Sequence, residues 1–132
     1  MYRIAVLVLI LATIAYADPY VDFLPCDSTR PTPRQVAIAS CAFVPHNCTL
    51  KRGTHYDIGV DFFATFQADQ VFNITGDLVC DEGIVCPVYE GSLSSYDHVW
   101  TPMNFTGSSL TQFSLVDEKQ NTIVCFNMRM SE

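Results

Sequence analysis

Six cysteines follow an apolar leader, and their spacing constrains this chain more than any other feature: Cys26, Cys41, Cys48, Cys80, Cys86 and Cys125. Two pairs are local, Cys41 with Cys48 and Cys80 with Cys86. The other two bracket nearly everything after the leader. An even number in a small chain of this kind indicates a disulfide framework, and six cysteines allow 15 connectivities. The simplest closes each local pair as a clip and joins Cys26 to Cys125 as an end-to-end staple. Closing a loop of about 100 residues is worth roughly 4.7 kcal/mol in the chain-entropy model. Such a framework belongs in an oxidising compartment, where binding or hydrolysis is a commoner task than nucleotide chemistry.

The leader carries Arg3, an uncharged apolar run from Ile4 to Ile14, and Ala15-Tyr16-Ala17 as a small-x-small cleavage signature. The run is too short to span about 30 Å of hydrocarbon, so residues 1–17 read as a signal peptide and not as an anchor. Residues 18–132 then form one domain of about 115 residues, with no room for a second core. The compartment expected is extracellular, with the endolysosomal lumen as the other possibility. Loss of Arg3 leaves six basic against fourteen acidic residues, a balance of −8. That excludes a generic nucleic-acid partner, whose phosphates attract basic surfaces, and disfavours anionic membranes.

No stretch sustains a helical period, and Pro and Gly interrupt the chain often. Gln35 to Ala39 reads as a short strand. After Gly53, Tyr56, Ile58, Val60 and Phe62 alternate with Asp57, Gly59 and Asp61, which is a half-buried strand with Ala64 and Phe66 extending its apolar face. A turn at Gln67–Gln70 leads into an expected strand from Val71 to Val79, with Gly76 marking a bulge or close approach. Leu110 to Val116 and Thr122 to Met130 are two further strands, joined by a polar turn at Asp117–Asn121. On the last, Val124, Phe126, Met128 and Met130 share one face. Short strands separated by turns predict an all-β sandwich.

Three segments, in order, resemble the ML lipid-recognition domain family, whose members include soluble Niemann-Pick type C cholesterol carriers and the mite group two allergens. Cys48-Thr-Leu-Lys-Arg-Gly53-Thr-His-Tyr56-Asp-Ile58-Gly-Val60-Asp-Phe62 is similar to that family's C-x-L-x-x-G-x-x-Y-x-[IV]-x-V-x-F stretch. Gly83-Ile84-Val85-Cys86-Pro87-Val88 matches its G-I-x-C-P-[IV] segment. Leu115-Val-Asp117 followed by Cys125 matches its final hairpin. The resemblance runs from Cys26 to Met130. It implies an immunoglobulin-like β-sandwich of two antiparallel sheets with an apolar cavity between them, and the three disulfides Cys26–Cys125, Cys41–Cys48 and Cys80–Cys86. One departure matters: only seventeen residues separate Phe62 from Cys80, where the cholesterol carriers have a longer, Pro-rich stretch at the pocket mouth. The region from Pro102 to Leu110 is also short.

Apolar strand faces usually pack against each other, so by themselves Tyr56, Ile58, Val60, Phe62, Phe66, Phe72, Ile74, Phe113, Leu115, Val124, Phe126 and Met128 describe a sandwich core. The resemblance makes that set the expected lipid-binding wall, with Tyr96 and Met103 at the mouth. Met and Phe suit an adaptable cavity. The sequons at Asn47, Asn73 and Asn104 are candidate glycosylation sites. His46, His55 and His98 are scattered and read as surface residues. No close cysteine pair suits zinc and no nucleophile motif occurs, so no metal, no cofactor and no enzyme activity are expected. The function expected is secreted lipid binding and transfer by a monomer, for a sterol first and a fatty acid or phospholipid second, with transient membrane or receptor contact. The alternative is a secreted innate-immune or host-directed module that binds a receptor or a microbial glycolipid.

Overall fold

A computed structural model describes residues 20–44, 46–102 and 109–131. The leader, Met103 and Asn104 lie outside the described residues. Among the described residues seven strands form: β1 (Leu24–Pro25), β2 (Gln35–Ile38), β3 (Thr49–Lys51), β4 (Tyr56–Phe63), β5 (Leu93–Trp100), β6 (Leu110–Val116) and β7 (Thr122–Ser131). The described helix content is a single 3-10 turn, Ala39–Cys41.

The strands make two sheets. In one, β4 is central, with β2 and β5 antiparallel on its flanks. In the other, β7 is central. It pairs antiparallel with β6 along its length, and β1 and β3 share its opposite edge. The β3 pairing is parallel, unlike the all-antiparallel sheets expected. The chain enters β3 from the other sheet, through the Cys41–Cys48 loop, so no hairpin dictates an antiparallel direction.

Period-two alternation builds the interior. On β4 the side chains of Ile58, Val60 and Phe62 are buried while Asp57 is exposed. Ala64 and Ala68 are buried and Phe66 partly so, so the inward face of β4 continues past its end. On β7, Val124, Phe126 and Met128 face the same core, and Met130 packs partly against it. Ile123 and Cys125, on the opposite face of β7, are buried as well. Cys26 bonds to Cys125 there. The other two disulfides are Cys41–Cys48 and Cys80–Cys86.

Besides the direction of β3, one expected strand differs from the structure and one strand lies where none was assigned. Val71 to Val79 is not a continuous strand. The segment folds back on itself: Phe72 bridges Leu78, and Val79 N–H donates to the Val71 carbonyl. The reversal has a local cause. Asn73 takes its side-chain oxygen into the turn, and Gly76 supplies a backbone φ of +88°, which costs a glycine little. Phe72 then bridges Val116 at the end of β6. The unassigned strand is β5, in a segment whose sequence alternates poorly. Ser94, Tyr96, His98 and Trp100 share one face, of which only Tyr96 and Trp100 are buried, and the other face includes the exposed Leu93 and Val99.

Candidate functional site

The site begins with the geometry of two strand edges. β5 is the outer strand of one sheet, and β6 flanks β7 in the other, with its far edge bridged at Val116. Between them lies a cavity of about 320 Å³. Tyr96, Val99, Trp100 and Thr101 line it from the β5 side, Gln112 and Phe113 from β6, and Asn73, Ile74 and Thr75 from the folded-back turn. Its size sits at the low end of the ~300–1,000 Å³ usual for small-molecule sites.

Aromatic rings meet across the gap. The Phe113 ring lies 5.4 Å from Tyr96 and 5.4 Å from Trp100, both in the facing sheet. Phe126 continues the cluster, 5.1 Å from Phe113 and 6.0 Å from Trp100, and Phe23 stacks edge-on at 5.8 Å. These spacings are those of favourable tilted and T-shaped pairs. The rings therefore fill the space next to the cavity and give it an aromatic wall.

The polar part of the lining is uncharged. Asn73, Thr75, Thr101 and Gln112 contribute amides and hydroxyls, and no Asp, Glu, Lys or Arg belongs to the lining. Thr101 hydroxyl is engaged by His55 Nδ1 at 2.5 Å, outside the cavity wall. Tyr96 is 2% exposed, and burial pushes its phenol pKa above the ordinary value, so it is a neutral hydroxyl. Among the described residues nothing pairs with that hydroxyl, and it is not sealed off from open space. It is a donor with room for an acceptor.

Of the residues expected in the wall, the structure brings Tyr96, Phe113 and Ile74 to this cavity. Ile58, Val60, Phe62, Leu115, Val124, Phe126 and Met128 are buried in the common core, where Phe126 backs Phe113. Tyr56 and Phe66 pack partly against that core, and Tyr56 hydroxyl accepts the Lys51 N–H at 2.8 Å. Phe72 lines a second groove, which shares Asn73 and Ile74 with the cavity. Sequence reasoning did not assign Val99, Trp100, Thr101 or Gln112 to the wall. The weak alternation of β5 hides the first two. The other two are polar and carry no apolar signal. His46, His55 and His98 are exposed. Among the described residues no group of three or more His, Cys, Asp or Glu could hold a metal ion, and no helix is long and apolar enough to cross a membrane.

A second feature lies on the disulfide loops. Phe43, inside the Cys41–Cys48 loop, is 86% exposed, and Val85, inside the Cys80–Cys86 loop, is 81% exposed.

No family model matches the chain, and no curated protein matches it by sequence. Among solved structures it is similar to a Niemann-Pick type C2 protein from the Japanese carpenter ant. The TM-score is 0.56 at 17% identity, over 83% of this chain and 99% of that one. The likeness shows the fold, two packed sheets with this strand arrangement.

Proposed function

We propose that the chain is a secreted, non-enzymatic lipid carrier that takes one small neutral lipid into the cavity between β5 and β6. A lipid with a hydroxyl or carbonyl head, such as a sterol, ranks ahead of a fatty acid or phospholipid. The observation that carries this reading is the uncharged, aromatic-walled lining. Residues 103–108, which continue from Thr101 and Pro102, are Met, Asn, Phe, Thr, Gly and Ser, so they add no charge wherever they lie. A carboxylate or phosphate buried without a partner costs several kcal/mol, whereas a neutral oxygen needs only a donor such as the Tyr96 hydroxyl.

The driving force is desolvation. Apolar ligand surface leaving water contributes about 25 cal/mol per Å² before the costs of association. The resemblance of the sequence to the ML family and the likeness of fold to a Niemann-Pick type C2 protein support the same reading. Met103 belongs to it as a mouth residue. The core residues Ile58, Val60, Phe62, Leu115, Val124, Phe126 and Met128 act through it as the wall behind the wall. The test is mass spectrometry of lipids extracted from protein purified natively. One neutral lipid per chain is expected. An empty protein, or one loaded with phospholipid, contradicts the proposal.

The bare side chains of Phe43 and Val85 favour a second reading, a module that contacts a receptor or a membrane through its disulfide-closed loops. Phe43→Ser would abolish that contact and leave lipid content unchanged.

A further inference from the structure

Asn73, Ile74 and Thr75 form a sequon on the rim of the cavity. The Asn73 side-chain oxygen accepts two backbone hydrogen bonds, from Thr75 N–H at 3.1 Å and Asp77 N–H at 2.9 Å, and lies 2.8 Å from Thr75 Oγ1, whose one hydrogen it shares with Asp77 Oδ2 at 2.9 Å. Backbone N–H groups can only donate, so the atom facing them is oxygen and the amide nitrogen points the other way. Among the described residues that nitrogen has no acceptor, and it is not sealed from solvent. The turn spans only residues 73–77 and closes on itself, so it needs no distant partner. Asn47 lacks these features: its sequon has Cys48 in the middle, buried and bonded to Cys41. Asn104 lies outside the described residues.

We propose that Asn73 is an N-glycan acceptor and that its glycan stands over the mouth of the cavity. The chemistry suits the geometry. Glycosyl transfer forms a bond from the amide nitrogen to the sugar anomeric carbon as that carbon's C–O bond to its lipid pyrophosphate carrier breaks; the C–O electron pair leaves on the phosphate oxygen, and the displaced amide proton goes to a base. The oxygen keeps both of its backbone hydrogen bonds. Asn73 borders both the cavity and the second groove, so a sugar on its nitrogen rises between the two. It would also cover Ile74, an aliphatic side chain left 54% exposed beside it. That the glycan governs traffic of a ligand rests on the carrier reading above; that it is present and covers the mouth does not.

The test uses the full chain expressed through the secretory pathway of a eukaryotic cell that makes high-mannose glycans. An endoglycosidase that leaves one N-acetylglucosamine trims half of the sample. A digest that separates Asn73 from Asn104 should show the sugar remnant on Asn73. An unmodified Asn73 peptide overturns the proposal. The single tryptophan, Trp100, lines the same cavity and serves as a reporter that needs no ligand. Its quenching by the neutral nitroxide TEMPO should strengthen after trimming. Equal quenching before and after trimming overturns the placement over the mouth. Failure of the carrier reading would leave both of these results unchanged and would show instead as absent lipid.

Discussion

On β4, Ile58, Val60 and Phe62 are at most 1% exposed, and Leu115 and Val124 of the facing sheet are fully buried with them. Between β5 and β6, Tyr96, Trp100 and Phe113 are buried too, yet they border about 320 Å³ of open space. The β4 side chains belong to the central strand of their sheet, covered on both flanks by β2 and β5. The β5 and β6 side chains face each other from strands that flank their sheets' central strands. Sheet twist separates such edges more than centres, so a sandwich can hold a ligand there without opening its core. The face that packs carries a continuous apolar stripe, and the face that binds carries aromatic residues set among polar ones. The place of the strand in its sheet separates them as well.

The sharpest break of that comparison is Val60→Asp against Gln112→Arg. Val60 is fully buried in the closed half, so a carboxylate there should cost several kcal/mol and prevent folding, seen as loss of the cooperative thermal transition. Gln112 borders the open half, so Gln112→Arg should fold. It should also shift ligand preference from neutral lipids towards carboxylates by about tenfold or more, the equivalent of ~1.4 kcal/mol from one paired charge. If both variants unfold, the two halves are one core and the comparison fails.

Removing the outer staple comes next. The Cys26–Cys125 bond closes a span of 99 residues and ties the segment after β1 to the central strand β7. The double substitution Cys26→Ser/Cys125→Ser should cost roughly 2–5 kcal/mol by denaturant titration. It should destabilise both halves equally, because β7 serves both.

The smallest effect should be that of Asp117, far from the cavity. Its buried side chain accepts Lys119 N–H at 2.9 Å, Asn121 N–H at 2.8 Å and the Asn121 amide at 3.2 Å, closing the hairpin between β6 and β7. Burial alone would raise its pKa. The Asn121 bonds, the Lys119 N–H and the Lys119 charge outweigh that and hold it below the ordinary carboxylate value of 3.8. A depressed acid contributes stability that is present above the unfolded value and is lost as pH falls through the folded one. Asp117→Asn should therefore lower stability modestly at neutral pH. It should also flatten the loss of stability on acidification below about pH 4. Ligand preference should not move.

How much of this was legible in the sequence follows from the same contrast. β4 and β7 were readable because their apolar residues recur every second position over long runs, and β6 because a polar turn at Asp117–Asn121 sets it off from β7. The disulfide pairing was readable as the simplest of several. β5 was not, because one face mixes Ser94 and His98 with Tyr96 and Trp100, while Leu93 and Val99 are exposed on the other. A strand half of whose wall borders a cavity needs no continuous apolar stripe. Val71 to Val79 misled for the opposite reason: its apolar residues suggested one strand, and the Asn73 turn with Gly76 divides it. The cavity's polar rim, Thr101 and Gln112, has no signature short of the three-dimensional pairing of β5 and β6 across the gap.

The central claim is that the open half selects neutral lipids. It is tested most directly by titrating the protein with a matched pair, a long-chain alcohol and the carboxylic acid of the same chain length, at neutral pH. Trp100 fluorescence is the readout, since that residue is the sole tryptophan and lines the cavity. The account predicts one-to-one binding of the alcohol with a saturable change in emission, and binding of the carboxylate at least about tenfold weaker, as ~1.4 kcal/mol or more of unpaired-charge cost requires. Equal binding of the two, tighter binding of the carboxylate, or no binding of either would contradict it.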